Sequence, residues 1–374
     1  MDTICELLGI EYPILAFSHC RDVVAAVSKA GGFGVLGAVT YTPDQLEVEL
    51  AWIEDQVGER PYGIDVLIPA SLAGMDQVKP GDLENVDVGS LLPEEHRKFL
   101  ESLLERYGVP PLPQHRDSPH GLAGLSLPTT LVDVALAHPI KLVASALGPP
   151  PASVVEAAHA RGVPVAALVG TVEHALRQKD ARVDVIVAQG TEAGGHTGEI
   201  GTMVLVPDVV RAVAPTPVLA AGGIASGRQM AAAMALGAQG VWTGSVWLTT
   251  EEAETHPVVK QKMLAASSRD TVRSKSRTGK PARQLRSAWT EAWEEPDSPG
   301  ALPMPLQPLL VEEALVRIGR SATAGNEGAK QLVNYFVGQV VGSLNAVKPA
   351  RQVVLEMVQE YADVIADMAG AFET

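Results

Sequence analysis

Cysteine is nearly absent: Cys5 and Cys20 are the only two in 374 residues. Two thiols cannot build a disulfide framework, and no CxxC pair or Cys/His cluster gives a structural zinc signature. Basic residues are scarce as well, with 29 Lys plus Arg against 44 Asp plus Glu and a formal charge of −15. A chain this acidic lacks the footprint of a duplex nucleic-acid binder and is repelled by an anionic membrane surface. No run of eighteen apolar residues escapes a charge or a proline, so nothing reads as a membrane span. The first eleven residues carry acids and no base, unlike the lead of a secretion signal. The expectation is a cytoplasmic protein of a reducing compartment. Aromatics are only 4% of the chain while glycines number 35, so its apolar weight lies in small residues.

What is present is rhythm. Short apolar runs alternate with capped, amphipathic segments. The runs are Pro13–Phe17, Phe33–Val39, Tyr62–Ile68, Ile140–Ala146, Pro164–Val169, Val183–Ala188, Pro217–Ala221 and Gln239–Ser245. Nearly all are continuous rather than alternating, which implies strands buried on both faces. Helices are expected at Arg21–Ala30, from the Thr42-Pro43-Asp44-Gln45 capping box to Val57, at Ser153–Arg161 and Val172–Lys179, and after Ser226 with Gln229. Eight strand–helix repeats suggest an α/β fold of the (β/α)8 TIM-barrel type, although a doubly wound sheet shares this local pattern.

Two stretches break the rhythm. The segment 69–127, after the third strand, is too long for a connecting loop. It contains a polar helix, Glu94–Arg106, and the run VPPLPQHRDSPH, and it reads as an inserted lid or flap. From Thr249 the strands stop, and helices are expected at His256–Ser267, Ala282–Glu294, Leu309–Ile318, Gly328–Leu344 and Val347–Ala369. The division is then a barrel over 1–248, a helical substrate or cap region over 249–345, and a terminal helix over 346–374 that returns to the barrel.

Gly32–Gly37 matches G-x-G-x-x-G. The dinucleotide fingerprint requires a preceding strand and a following helix, whereas here a helix precedes and the second half is itself a strand. A helix stop running into a small-residue strand is the better reading. No G-x-S-x-G, HExxH or Walker loop occurs. Three other patterns carry chemistry. Ala220–Gly227 (AAGGIASG) closes the seventh strand and opens a capped helix, where close backbone approach and free amides suit an anion. Gly240–Ser245 (GVWTGS) closes the eighth strand, and loops after strands seven and eight form the usual phosphate cradle of such barrels. After strand six comes Gln189–Gly198 (QGTEAGGHTG), where His196 is a candidate acid/base. Glu192 in that loop reads as a helix-start charge rather than a ligand.

These residues carry a resemblance. QGTEAGGHTG, followed by LAAGGIASGRQMAAAMALGAQGVWTGSVWL, resembles the nitronate monooxygenase family, FMN-binding (β/α)8 enzymes related to flavin-dependent enoyl-thioester reductases. YPILA and VVAAVSKAGGFGVLG are similar to its opening signature. The resemblance implies FMN as cofactor and His196 as the catalytic histidine. It implies flavin contacts at Gln189 and Gly194, a phosphate contact at Gly223 with Gly222, and a second phosphate run at Trp242, Thr243, Gly244 and Ser245. Asp65 stands where the family commonly has asparagine by the flavin ring. The first loop, PILAFSHCRD, departs from the family's longer PMGG-like loop.

The last pattern is basic: Arg269, Arg273, Lys275, Arg277, Lys280, Arg283 and Arg286 lie within eighteen residues of this acidic chain. Such a run is either a solvated helix face or an anion handle beside the barrel mouth, suited to a CoA thioester or NADPH. The function expected from the resemblance is oxidation of alkyl nitronates with O2 to carbonyl compounds and nitrite. One alternative is NAD(P)H-dependent reduction of an enoyl- or oxo-acyl thioester or a quinone. Another is a flavin- or phosphate-binding protein without turnover. The expected partners are a small-molecule substrate, O2 and, in the reductase reading, NAD(P)H, with a homodimer left open.

Overall fold

The computed structural model describes residues 3–67, 92–112 and 128–371. Eight parallel strands close a barrel: β1 (Ile14–Ser18), β2 (Phe33–Gly37), β3 (Tyr62–Leu67), β4 (Val143–Ala146), β5 (Val165–Val169), β6 (Val185–Gln189), β8 (Val218–Ala221) and β9 (Gly240–Thr243). Closure comes from β9 pairing with β1, in the register Leu15 to Trp242. The (β/α)8 expectation holds, and the open-sheet alternative falls with that pairing.

Alternate residues of each strand serve two cores. Leu15, Phe33, Val35, Ala144, Val187, Ala221 and Trp242 point inward and fill the barrel, joined at one end by Ile4 and Leu8 of the short helix Ile4–Leu8. Ile14, Ala16, Leu36, Ile64, Val66 and Ile186 point outward beneath the helices. Both faces are therefore dry, which explains why the strands read as unbroken apolar runs. The G-x-G-x-x-G match has a packing origin. A Cβ at Gly34 would lie 2.3 Å from the Val24 carbonyl oxygen, so that glycine lets helix Arg21–Lys29 close onto β2.

The caps formed as the sequence specifies. Thr42 Oγ accepts from the Gln45 amide and Gln45 Oε1 accepts from the Thr42 amide, opening helix Pro43–Val57. Ser226 Oγ likewise accepts from the Gln229 amide to open helix Gly227–Ala235, while Gln229 Oε1 accepts from the Ala225 amide. Helix Ala350–Gly370 buries Val353, Val354 and Met357 and crosses that helix at Gly227, where a Cβ would lie 2.2 Å from the Met357 carbonyl oxygen.

A separate apolar cluster gathers helices Pro257–Ala265, Ala288–Ala292, Leu306–Thr323 and Glu327–Leu332 around Trp289 and Trp293. Helix Glu94–Arg106 of the insert belongs to it through Leu100, Leu103 and Leu104. Arg317, only 5% exposed, fastens the two by donating to Glu101 at 2.7 Å and to the Pro110 carbonyl at 3.1 Å. The described part of the insert is thus anchored to the C-terminal region. The rest, including 113–120 of the Pro/His-rich run, lies outside the described residues.

Two expected helices are corrected. Ala282–Leu285 is a strand, β11, paired antiparallel with β10 (Thr271–Ser274), and only Ala288–Ala292 of that stretch is helical. Helix 328–344 is limited to Glu327–Leu332, followed by extended chain and a 3-10 turn at Gln339–Ser343. In both places tertiary pairing overrides local propensity: β11 takes a second partner, β7 (Gly195–His196), from the glycine-rich loop. Among the described residues, no helix is long and apolar enough to cross a membrane.

Candidate active site at the C-terminal end of the barrel

The ends of β8 and β9 are neighbours, with Ala221 opposite Trp242, so the loops following them lie side by side. Gly222 and Gly223 take φ of +98° and +73°, a conformation that only glycine adopts freely. A Cβ at Gly222 would come within 3.0 Å of the Gly190 carbonyl oxygen and Thr202 Oγ. At Gly223 the nearest atom would be Glu192 Cβ at 3.5 Å, and at Gly244 only Phe17, at 4.0 Å. Among the described residues the amides of Gly223, Ile224 and Gly244 enter no backbone hydrogen bond. Open space beside free amides near a helix start is what a phosphate monoester needs.

The other expected residues divide by use. Thr243 turns its hydroxyl into the wall, donating to the Leu15 carbonyl at 2.9 Å and accepting from Trp247 Nε1 at 3.0 Å. Trp242 is buried inside the barrel, stacked on Phe17 at 6.4 Å. From this run, the backbone at Gly244 and the hydroxyl of Ser245 remain for a ligand, and Ser245 Oγ already accepts from the Gly338 amide at 2.8 Å. Gln189 is half-buried at the end of β6 and pairs with inward-facing Ala221. Gly194 serves a second purpose, since a Cβ there would lie 2.9 Å from the Val337–Gly338 backbone. Glu192 acts as the helix-start charge: its carboxylate accepts from the Thr202 amide and hydroxyl at the head of helix Thr202–Val213.

Asp65 lies in the inward-facing register of β3, opposite Ala144 on β4 and Gly37 on β2, and is 7% exposed. Burial raises its carboxyl from the ordinary 3.8 to about 7. The acid therefore spends much of the neutral range protonated, able to donate a hydrogen bond as an asparagine amide does. Close by is a residue to which the sequence alone assigned only a structural role beside Cys20. His19, from the shortened first loop, lies over Gly37, where a Cβ would lie 2.6 Å from its ring. Its Nδ1 bonds the Gly37 carbonyl at 3.0 Å, and burial holds the imidazole below the ordinary histidine range.

His196 sits half-buried on β7, in the loop that follows β6. Burial, reinforced by the cation of Lys280, lowers it to about 4, so the ring is neutral throughout the physiological range. Its Nε2 lies 2.9 Å from Thr278 Oγ, and its ring faces Phe336 at 6.4 Å. Thr278 and Lys280 belong to the β10–β11 turn, which corrects the picture of a basic helix face. Arg269, Lys275 and Arg286 are exposed, but the other four cations turn inward. Arg283 donates to the Thr191 carbonyl at 2.8 Å, and Arg273 to that of Thr197 at 3.1 Å. Arg277 binds Asn334 Oδ1 at 2.7 Å and lies over the rings of Tyr335 and Phe336. Burial pulls its guanidinium down to about 10. The hairpin thus clamps the histidine loop and surrounds it with positive charge.

Thr278 and the 334–339 segment were missed, and Arg277 and Lys280, visible only as part of the basic run, could not be placed beside His196, because each is remote from it in sequence. The one local cue was a glycine beside each contact, Gly279 and Gly338.

Comparison with known proteins agrees with this geometry. A family model described as nitronate monooxygenase matches residues 2–360. The chain is 59% identical over 371 residues to a Mycobacterium tuberculosis protein named as a "putative monooxygenase", covering 98% of each. It is 29% identical over 348 residues to a "probable nitronate monooxygenase" of Staphylococcus saprophyticus, covering 89% of this chain and 90% of that one. Among solved structures it resembles a nitroalkane oxidase from Streptomyces ansochromogenes, with TM-score 0.79, 25% identity and coverage of 98% and 100%. It also resembles FabK from Thermotoga maritima, with TM-score 0.72, 29% identity and coverage of 99% of each chain. With the barrel, the glycine cradle and a neutral histidine at its rim, the chain is a flavin-dependent oxidoreductase that belongs to the nitronate monooxygenase family.

Proposed function

We propose that the protein is an FMN-dependent nitronate monooxygenase, converting alkyl nitronates and O2 to carbonyl compounds and nitrite. FMN rather than a dinucleotide suits the cradle, because Gly222–Ile224 and Gly244 offer space and amides for one terminal phosphate, and the G-x-G-x-x-G match is packing. Asp65 and Gln189, beside Phe17 and Trp242 on the inward face, supply polar groups for the edge of a planar ring. When bound, FMN would supply the redox chemistry, accepting electrons from the nitronate and passing them to O2. The chain's own share is position and charge.

The observation that carries this reading is the pairing of a neutral His196 with cations that have turned inward. A nitronate is an electron-rich anion, and Arg277 and Lys280 favour its approach to an end of the barrel in a protein of charge −15. His196 removes the α-proton when the neutral nitroalkane is the substrate. Two of the seven cations, Arg273 and Arg283, are engaged in holding the histidine loop, and Arg277 is engaged by Asn334, which weakens the case for a cofactor or thioester handle. Anaerobic stopped-flow mixing tests the proposal. Bleaching of the flavin by ethyl nitronate and not by NAD(P)H is the expected result. Bleaching by NAD(P)H alone makes the enzyme a reductase, and bleaching by neither makes it a binding protein.

A further inference from the structure

The turn that carries Thr278 is held rigidly. Gly279 takes φ of +77°, and a Cβ there would lie 2.1 Å from the Leu302 carbonyl oxygen, so the turn is pressed against the 302–304 backbone. Gln307 Nε2 donates to the Ser276 carbonyl at 2.8 Å, and the Gly279 amide to that of Lys275 at 2.8 Å. On this frame the Thr278 hydroxyl makes three polar contacts. It lies 3.1 Å from the Lys280 carbonyl oxygen, 3.3 Å from the Lys280 amide and 2.9 Å from His196 Nε2.

A hydroxyl has one proton and two lone pairs. The Lys280 carbonyl can only accept, so its contact is a hydrogen bond only if Thr278 spends its proton there. The Lys280 amide can only donate, so it takes one lone pair. One lone pair remains, facing His196 Nε2. The arrangement that satisfies all three contacts has Nε2 carrying the imidazole proton. The reverse arrangement, with Thr278 donating to Nε2, sets two acceptor oxygens 3.1 Å apart with no proton between them. Nδ1 is then the lone-pair nitrogen, and among the described residues it has no hydrogen-bond partner.

We propose that Thr278 is a positioning residue that locks His196 as the Nε2–H tautomer, leaving Nδ1 as the proton-accepting atom of the site. This rests on the reading of His196 as a base and decides how it acts. A neutral histidine with a free Nδ1 lone pair cannot donate to a nitro oxygen. It can take a proton: the substrate α-C–H bond breaks, its electron pair moves onto the nitro group, and the proton is held on Nδ1. The anionic oxygens are left to the positive field of the hairpin. A nitronate supplied already ionised needs no such step.

Nitrogen-15 NMR of the histidine-labelled holoenzyme at pH 7 tests the assignment, with His196→Asn identifying the resonances. The expected spectrum shows a protonated Nε2 and an unprotonated Nδ1. Thr278→Val removes the acceptor and should mix or invert the tautomers, while Thr278→Ser should restore the wild-type pattern. In kinetics, Thr278→Val should lower kcat/KM for neutral nitroethane about tenfold while changing that for ethyl nitronate by no more than about twofold. A protonated Nδ1 in the wild type, or an unchanged tautomer in Thr278→Val, overturns the proposal; the wild-type measurement stands even if the valine variant does not fold. If the tautomers behave as stated but His196→Asn still turns over nitroethane at the wild-type rate, the base reading fails and the tautomer assignment survives.

Discussion

Two glycine-rich loops stand at the same end of the barrel, with similar composition and different uses. In the loop after β8, a side chain at Gly223 would meet only Glu192, at an ordinary contact distance of 3.5 Å, and among the described residues its amide is free of backbone partners. In the loop after β6, that space at Gly194 is occupied by the Val337–Gly338 backbone. The first loop is held ready for a ligand; the second is a socket into which the C-terminal region locks, and His196 rides on it. Glycine content alone identifies a close approach without saying what approaches.

The comparison breaks most visibly at the cradle loop. Gly223→Asp should give colourless protein that folds with some loss of stability, because a carboxylate there would repel a phosphate while the φ of +73° beside Glu192 strains the side chain. Its circular dichroism should match the wild type while flavin absorbance is lost. Stoichiometric flavin in that variant would place the cradle elsewhere.

Next in size is the buried acid of the rim. The native protein holds the Asp65 proton to about pH 7, whereas an unfolded aspartate releases it near 3.8, so the native state carries the extra proton in that window. Stability therefore falls as pH rises from about 4 to 7, by up to about 4 kcal/mol from this group. Asp65→Asn should remove that slope. Urea unfolding of the apoprotein at both ends of the window, compared between wild type and variant, measures it; parallel curves would mean a solvated carboxyl. His196 works in the opposite direction, since its native pKa near 4 makes stability rise with pH through the interval from about 4 to 6.5.

His196→Asn should keep flavin and lose about a hundredfold in turnover of neutral nitroalkanes. The acid limb of the wild-type kcat/KM profile should lie near 4. Activity within a few-fold of wild type would make the histidine a strut of its loop.

At the socket, Gly194→Ala should cost about 1–3 kcal/mol through overpacking against the 337–338 backbone, with flavin retained. Denaturant midpoints and flavin stoichiometry together separate this from the cradle loop. The smallest effect belongs to the outward face of the hairpin. Lys275→Glu should change stability by less than about 1 kcal/mol, whereas Arg277→Glu, set between Asn334 and two rings, should impair folding. Equal effects of the two would return the hairpin to a solvated face.

Legibility followed contact range. The strands could be read because burial on both faces writes itself as local apolar runs, and the helix starts because Thr42 with Gln45 and Ser226 with Gln229 act within one turn. His196 could be found by its loop and by the family resemblance. Ala282–Leu285 could not be read as a strand, since its partners are Thr271–Ser274 and the distant Gly195–His196. The run of seven cations was visible, but the sequence could not say which of them point inward.

By itself the sequence determined the eight strand–helix repeats and the two glycine loops that follow strands, because each depends on patterns shorter than about twenty residues and on burial common to all eight repeats. Closure of those strands into a barrel rests on Leu15 meeting Trp242, a pairing no local pattern encodes. Only the tertiary structure decided what surrounds His196. Closing the barrel and docking residues 271–285 and 334–339 on it bring Thr278, Lys280 and Arg277 beside a histidine some eighty residues earlier. Proton affinity and tautomer depend on desolvation and on the atoms within hydrogen-bond reach, and neither quantity exists until the chain has folded.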